Sequence, residues 1–425
     1  MRAALWLLAL FGVAAAIALF AGNNQSTVTV FWPPWRVDLS LNLVLLLLLG
    51  SFVLFYSASR GLAALLDLPR QAQRWRTQQK ERAMHLALLD SLSHLLAGRF
   101  IRARKLAQAA LDQSTALDKA GAGVPHTDQL RAIAHLVTAE CAQSLQDPAT
   151  RDHHLQQALD ASATRTAQET REAATLSAAR WALVQRDADA ALEWLDKLPQ
   201  GAARRTLALR IRLKAARLAR RTPQALETAR LLAKHRAFSP AAAQSIVRGL
   251  AMEQLGSAHD MAQLRDAWEQ LETSERLLPD VAFHAARRVL ALHGEPALAR
   301  QWLLPVWERM AAQPDSLADG QRMKLIRVLE AGFEATDGGL DSAWLARIES
   351  AVQHNPRDPG LQYLAGKACL QQQLWGKAQQ LLSQSVAQLG DAELRRSAWK
   401  SLALLAEERG DTDAANAAYR RAAGA

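Results

Sequence analysis

Histidine and cysteine are the side chains of this sequence most able to ligate a metal or a haem iron, and it holds eleven and two of them. Cys141 and Cys369 lie far apart, without the CxxC spacing of a metal or redox site and without a CxxCH haem-attachment motif. His153 and His154 are adjacent, so on a helix their rings point in different directions. The sequence predicts no metal site, no resident cofactor and a reducing compartment. Transient binding of haem or a porphyrin is left open, with no histidine assigned to it.

Motifs of the common catalytic machineries are also missing. The sequence has no HExxH zinc helix, no GxSxG nucleophile elbow and no GxxxxGK[ST] phosphate loop. No pair of carboxylates has a spacing typical of acid–base catalysis. We therefore expect a protein that binds partners and is not an enzyme.

Arginine and lysine are concentrated in two parts of the chain, although the net charge is only +10. Residues 60–105 hold ten basic and three acidic side chains, and residues 204–236 hold eleven and one. Arg210, Lys214 and Arg217 follow the i, i+4, i+7 spacing that places side chains on one helix face. Such a face would bind an acidic peptide, a terminal carboxylate or the propionates of a tetrapyrrole. The alternative is a basic helix face that meets only water.

The elements that would position these residues are helix pairs. Ala and Leu dominate the sequence, which favours an all-α fold. Its last segment has tetratricopeptide spacing, with Trp399 and Ala403 on the first helix, Gly410 in the turn, and Ala415 and Tyr419 on the second. Small residues let paired helices approach closely, and each pair buries its apolar face only against its neighbours. With the small residue that begins each second helix as an anchor, further pairs are predicted at Ala103, Ala191, Ala225, Ala299 and Ala378, and degenerate pairs around residues 130–160 and 241–271.

The same anchors define a basic column on the first helices. The ninth repeat position faces the groove of tetratricopeptide arrays and is basic in four pairs. The predicted groove contacts are Arg180, Lys214, Arg288 and Lys367, together with Arg210 and Arg217. No nucleic acid is expected as the ligand, because no nucleic-acid-binding motif is present. The tryptophans of the repeats are predicted to be core residues, since they fall at helical spacing: Trp181, Trp194, Trp268, Trp302, Trp307, Trp344, Trp375 and Trp399.

Two uncharged apolar runs, Leu5–Ala21 and Leu41–Ala58, precede the repeats. Each suffices for a membrane-spanning helix, and a cleaved signal peptide is the alternative for the first. A short linker with Trp32 and Trp35 joins them. Basic residues follow the second run, so the positive-inside bias places both termini in the cytoplasm. The predicted membrane-surface contacts are Arg60, Arg70, Arg74, Trp75, Arg76, Lys80 and Arg82.

The predicted architecture therefore has three parts. A two-helix transmembrane hairpin occupies residues 1–59, and a basic juxtamembrane segment occupies residues 60–83. A tetratricopeptide-type α-solenoid occupies residues 84–425 and lies in the cytoplasm of a bacterium, attached to its inner membrane.

This order of parts resembles the proteobacterial HemY family, inner-membrane tetratricopeptide proteins associated with haem biosynthesis. The resemblance lies in the two N-terminal spans, in the stretch LDLPRQAQRWRTQQKERA and in the sequence AGRFIRARKLAQAAL that leads into the repeats. It implies a non-catalytic scaffold or regulator of late tetrapyrrole synthesis, with the lipid bilayer and late haem-pathway enzymes as partners. A general inner-membrane adaptor for another envelope process, such as control of lipopolysaccharide assembly, is the alternative.

A flavin-dependent porphyrinogen oxidase shares the family's name, but this sequence does not fit it. That enzyme needs a dinucleotide-binding unit that opens with GxGxxG after a strand. Here Gly121-Ala122-Gly123 follows no predicted strand, and His126 stands where the third glycine is required.

Overall fold

The computed structural model describes residues 11–14, 16–18, 22, 26–121, 126–334 and 340–424, without the side chains of residues 64, 65, 67–71 and 334. Most of the first predicted span, Leu5–Ala21, lies outside these residues. The chain forms two compact units, Met1–Arg171 and Glu172–Ala425.

The first unit contains an antiparallel hairpin, which adds two short strands to a chain that is otherwise helical in its described residues, as expected. Strand β1 (Thr27–Trp32) pairs with β2 (Trp35–Ser40) in a register that sets Trp32 opposite Trp35. No secondary structure was predicted for this linker, although apolar and polar residues alternate in it with the period of a strand. Four helices follow: α1 (Leu41–Leu96), α2 (Phe100–Lys119), α3 (Thr127–Ser144) and α4 (Pro148–Ala161).

Helix α1 is far longer than the predicted second span. Its first part, Leu41–Ala63, is long and apolar enough to cross a membrane, and it is the one such helix in the described part of the chain. The same helix continues to Leu96 and packs on α2, burying Met84 and Leu88. The boundaries drawn at residues 59/60 and 83/84 thus both fall inside one helix, and the two-span hairpin stays a prediction.

The second unit is built of helices throughout its described residues. It contains α5 (Gln168–Val184), which begins just before the unit boundary, α6 (Ala188–Asp196), α7 (Gln200–Ala203), α8 (Thr206–Leu218), α9 (Thr222–Lys234), α10 (Pro240–Gly256), α11 (Met261–Glu269), α12 (Thr273–Arg276), α13 (Pro279–Ala291), α14 (Pro296–Ala312), α15 (Asp319–Glu334), α16 (Ser342–His354), α17 (Pro359–Gln371), α18 (Trp375–Val386), α19 (Ala392–Glu408) and α20 (Thr412–Gly424).

These helices pack in the order of a tetratricopeptide array. The first helix of a pair packs on the first helix of the next pair: α10 on α13, α13 on α15, α15 on α17, and α17 on α19. The second helix also packs on the next first helix, as α14 does on α15 and α18 on α19. Each pair is therefore stabilised by its neighbours, as in other repeat proteins.

The small anchor residues lie at the tightest contacts. All six are at most 3% exposed: Ala103, Ala191, Ala225, Ala299, Ala378 and Ala415. The two degenerate pairs are confirmed as α3 with α4 and α10 with α11. In the first of them Arg151 stands where the six anchored pairs have alanine, and its N–H donates to Asp147 as that of Ala191 does to Asp187.

A residue with left-handed backbone conformation ends most first helices. It is followed by an N–H that reaches back to the carbonyl five residues earlier, as Asp187 does to Ala182 at 2.9 Å, which is the Schellman motif. Glycine serves this position at Gly98 and Gly410. Elsewhere the residues with positive φ are Gln146, Arg186, Arg220, His293 and Gln373, so glycine alone does not mark these turns.

One helical glycine is required by a close approach. A Cβ on Gly366 in α17 would lie 2.7 Å from Cγ of Leu382 and 3.2 Å from its backbone nitrogen, in the paired helix α18. Gly249 in α10 has open space around it, with no atom within 4 Å of such a Cβ.

We expect Gly366→Ala to destabilise the second unit, because overpacking costs about 1–3 kcal/mol. Gly249→Ala is the matched control and should stabilise by up to about 1 kcal/mol, the usual gain in helix propensity. Thermal unfolding of the detergent-solubilised protein, followed by circular dichroism, measures both. An increase in Tm for both variants would contradict the close packing of α17 on α18.

Candidate partner-binding surface

The predicted basic stripe lies on the exposed side of α8. Lys214 and Arg217 are exposed, and no acidic side chain of the described residues lies within ion-pair distance of either. Arg210 is also exposed, and its guanidinium donates to the carbonyl oxygen of Ala237 at 2.9 Å and lies 5.9 Å from the ring centroid of Phe238. The three side chains thus form one surface, the α8 basic face, which carries positive charge into solvent.

The other residues of the predicted column differ in exposure. Arg180 is exposed on α5. Arg288 is half-buried and donates to the carbonyl oxygen of Ala258. Lys367 is buried, with its Nζ 3.4 Å from a carboxylate oxygen of Glu330 and 3.3 Å from the hydroxyl of Ser401. The interpretation of Lys367 as a groove contact is therefore corrected: burial and the ion pair remove it from the surface.

Ion pairs between successive first helices explain why the basic surface is local. Arg248 of α10 lies 3.3 Å from Asp280 of α13, and Lys324 of α15 approaches the same carboxylate at 3.8 Å. Arg322 of α15 lies 3.5 Å from Asp358, which caps α17. These pairs give acidic neighbours to three basic side chains of later first helices, whereas Lys214 and Arg217 have none in the described residues.

The basic residues after the apolar span lie on the same helix as the span. Arg74, Arg76 and Lys80 line a cleft of about 730 Å³ together with Leu117. At 1.5 Å per residue, Arg74 follows Ala63 by about 16 Å on a straight helix, beyond the Debye length of about 8 Å. On a straight helix these positions therefore lie beyond the range at which lipid charges act strongly.

The other members of that set lie at different heights on α1. Arg60 falls within the apolar window and donates to the hydroxyl of Tyr56 at 3.2 Å. Trp75 and Arg82 are exposed, and the side chain of Arg70 lies outside the described residues. Contact of this set with a membrane surface stays a prediction.

A pair of histidines forms a site that the sequence analysis missed. Nδ1 of His135 on α3 lies 2.9 Å from Nδ1 of His154 on α4, so one neutral ring donates to the other. Burial, together with the nearby charges of His154 and Arg131, lowers the pKa of His135 to about 4. Burial also lowers the pKa of His154, and the charge of the neighbouring His153 lowers it too. Correct alignment of the degenerate pair α3–α4 is the one sequence signal that would have brought the two rings together.

This pair does not extend into a metal centre in the described residues. No group of three or more His, Cys, Asp or Glu side chains there is arranged to hold a metal ion. The free thiols are also unreactive, since burial raises the pKa of Cys141 to about 11 and raises that of Cys369. These groups act as packed, neutral parts of helix pairs.

The tryptophans of the repeats belong to the core, with one exception. Trp268 and Trp302 stack at 4.5 Å between ring centroids, and Trp307 packs edge-on against Trp344. Trp375 is 41% exposed, so for it the core prediction is wrong. The aromatic set therefore offers no continuous surface for a ligand.

Comparison with known protein families finds a match for the N-terminal part of the chain. Residues 26–146 match the family model described as the HemY protein N-terminus. A search of curated proteins finds no match.

Solved structures give only distant likenesses. The structure of Naa15/Naa10 bound to HypK-THB shares 12% identity at a TM-score of 0.24, over 77% of this chain and 57% of that chain. The crystal structure of the P58(IPK) TPR domain shares 14% identity at a TM-score of 0.23, over 77% of this chain and 99% of that chain. This chain thus spans little more than half of the first. The description of the fold depends on the helix packing and not on these likenesses.

The histidine pair makes the stability of the first unit depend on pH. In the unfolded chain a histidine titrates near 6.5, so the unfolded state binds more protons than the folded state between about pH 6.5 and 4. The contribution to stability is present above pH 6.5 and is lost as the pH falls towards 4. We expect the combined variant His135→Gln/His154→Gln to show a flatter dependence of Tm on pH in this window. His153→Gln is the comparison variant: it removes an exposed histidine whose charge is a lesser cause of the two lowered pKa values, so it should flatten the dependence less than the pair variant does. Equal slopes for the pair variant and the original protein would refute the assignment.

Proposed function

We propose, from the match of residues 26–146 to the HemY protein N-terminus, that the protein is a non-catalytic, membrane-anchored scaffold or regulator of late haem biosynthesis. The single observation that carries the scaffold part of this proposal is the α8 basic face. It is an exposed surface on which Lys214 and Arg217 have no acidic partner in the described residues. We assign it the role of binding an acidic segment of a late haem-pathway enzyme.

The electrostatics of the second unit support this assignment. Arg212 on α8 lies 2.9 Å from Asp196, and Arg221 lies 2.5 Å from Asp189, so these basic side chains already have acidic neighbours. Lys214 and Arg217 have none in the described part of the chain. An acidic peptide would supply the missing charge, and it would gain in association rate as well as in affinity.

The anchored location is supported by helix α1. Its apolar first part is long enough to span a bilayer, and the positive-inside bias of the basic residues that follow favours a cytoplasmic position for the repeats at a bacterial inner membrane. A non-catalytic role is supported by the groups with the largest pKa changes, because these histidines and thiols lie packed between helices. A tetrapyrrole would be a second anionic ligand for the same face, through its propionates.

Purification of the tagged protein from its own membranes, with mass spectrometry of co-purifying proteins, tests the proposed pathway. We expect late haem-pathway enzymes to be recovered, and their recovery to be lost when residues 172–425 are deleted. Loss of the protein should raise the level of porphyrin intermediates in the cell. Recovery of envelope-assembly factors with unchanged porphyrins would instead favour a general envelope adaptor and refute the haem-pathway role.

Charge reversal tests the surface. We expect Arg210→Glu/Lys214→Glu/Arg217→Glu to weaken binding of the recovered partner by at least about tenfold, because three favourable charges become repulsive. The control is Arg204→Glu/Lys234→Glu/Arg236→Glu, which reverses the same number of exposed charges outside the α8 basic face. Circular dichroism of both variants checks that the helices persist. Equal affinities for the two variants would exclude the α8 basic face as the binding surface.

A further inference from the structure

The hairpin of residues 27–40, which we call the ribbon, has two chemically different faces. Alternate residues of a strand point to opposite sides, and directly paired residues point to the same side. One face carries the pairs Val28–Leu39, Val30–Val37 and Trp32–Trp35, and the other carries Thr27–Ser40, Thr29–Asp38 and Phe31–Arg36. All six residues of the first face are apolar, and both charges of the ribbon lie on the second.

Hydrogen bonds and ion pairs organise the polar face. The hydroxyl of Thr29 donates to Asp38 at 2.6 Å across the strands, and Arg36 Nε lies 3.4 Å from the same carboxylate oxygen. The Arg36 guanidinium also lies 5.5 Å from the ring centroid of Phe31. This face is therefore suited to water, and its network fixes which residues are turned to the opposite side.

The apolar face is open along most of its length. Trp32 and Trp35 at the tip are 74% and 73% exposed, and Val30 and Val37 are 45% and 46% exposed. A lone two-stranded hairpin is marginally stable in water, and an uncovered apolar face of this kind marks an interaction surface. Some apolar surface therefore covers it.

The position of the ribbon identifies that surface. Helix α1 begins directly after it: the N–H of Leu41 donates to the carbonyl oxygen of Ser26 at 2.9 Å, and the hydroxyl of Ser40 caps the helix by accepting from Leu43. The apolar window of α1 starts at this same residue and is itself unburied. The ribbon is thus fixed to the end of the bilayer-spanning segment, and its apolar face is continuous with that segment along the chain.

We propose that the ribbon lies flat in the lipid interface at the end of α1 remote from the repeats, with its apolar face on the acyl chains and its polar face in water. This inference rests on the membrane anchoring proposed above. The unpaired backbone groups at the ribbon edges forbid insertion into hydrocarbon but are satisfied at the interface. Tryptophan has an apolar ring with one N–H donor, which suits the same depth. Six residues of strand extend about 20 Å, so the tip reaches lipids well beyond the helix itself.

Site-specific fluorescence in the full-length protein, reconstituted into phosphatidylcholine–phosphatidylglycerol nanodiscs, tests the proposal. The two buried native thiols are removed by Cys141→Ala/Cys369→Ala, with helicity checked by circular dichroism. A nitrobenzoxadiazole label is then placed at Val30→Cys or at Phe31→Cys. These two positions are consecutive in β1, but their side chains lie on opposite faces of the ribbon. Val37→Cys and Arg36→Cys repeat the comparison on the other strand.

We expect labels at positions 30 and 37 to be quenched several-fold more by doxyl lipids than labels at 31 and 36, and iodide in the buffer to show the reverse order. Equal iodide quenching at all four positions would overturn the proposal, because the ribbon would then stand in water. Protection of positions 30 and 37 from both quenchers would overturn it in favour of a protein occupant, such as a second copy. A label at Leu54→Cys tests the anchor: absence of lipid quenching there would refute the proposed membrane span itself.

Discussion

Close approach of the two helices in each pair is the constraint on which the second unit depends. Ala191, Ala225 and Ala378 let the helix backbones meet, and where the first helix comes closest, at Gly366, even a methyl group would overlap Leu382. Larger side chains such as Trp307 and Tyr363 then fill the seams between successive pairs, where both are fully buried. Because interiors are close-packed, a change at one anchor displaces the seams on both sides of it.

The charged residues of the array are arranged around the same packing. Glu330 on α15 accepts from the hydroxyls of Tyr363 on α17 and Ser397 on α19, the latter at 2.6 Å, and Lys367 of α17 lies 3.4 Å away. One buried carboxylate thus joins three first helices. Removal of either partner of a buried pair leaves an uncompensated charge, which costs about 3–5 kcal/mol. Such pairs place charges inside the packed array. Lys214 and Arg217 on α8 differ from them, because they are exposed and have no acidic partner in the described residues.

Sequence reasoning located what depends on local spacing. The alanine anchors, the free cysteines and the exposed stripe at Arg210 follow from helix periodicity, and the structure has them. Burial of Lys367 was not accessible in this way, because it depends on Glu330, thirty-seven residues earlier in the chain, on another first helix. The membrane topology and the haem-pathway role are matters that periodicity does not determine.

Two other features were missed for identifiable reasons. The ribbon was missed because Trp32, Trp35 and the two prolines between them suggest an interfacial loop, although apolar and polar residues alternate on either side of them. The contact of His135 with His154 needs the register of a pair whose anchor is Arg151, where a search for small residues fails. In both cases the sequence contains the pattern, but the residues that usually mark it are replaced: tryptophan and proline stand in the turn, and arginine stands at the anchor position.

Helix α1 has a mechanical consequence. The helix that is long and apolar enough to cross a membrane is also the helix on which α2 packs, so no loop separates its apolar part from the first repeat pair. If this apolar part spans the bilayer, its rotation or tilt also rotates or tilts the first repeat pair, because both belong to one stiff helix. A change in bilayer thickness, which alters helix tilt, would reorient the first repeats without any ligand binding to them.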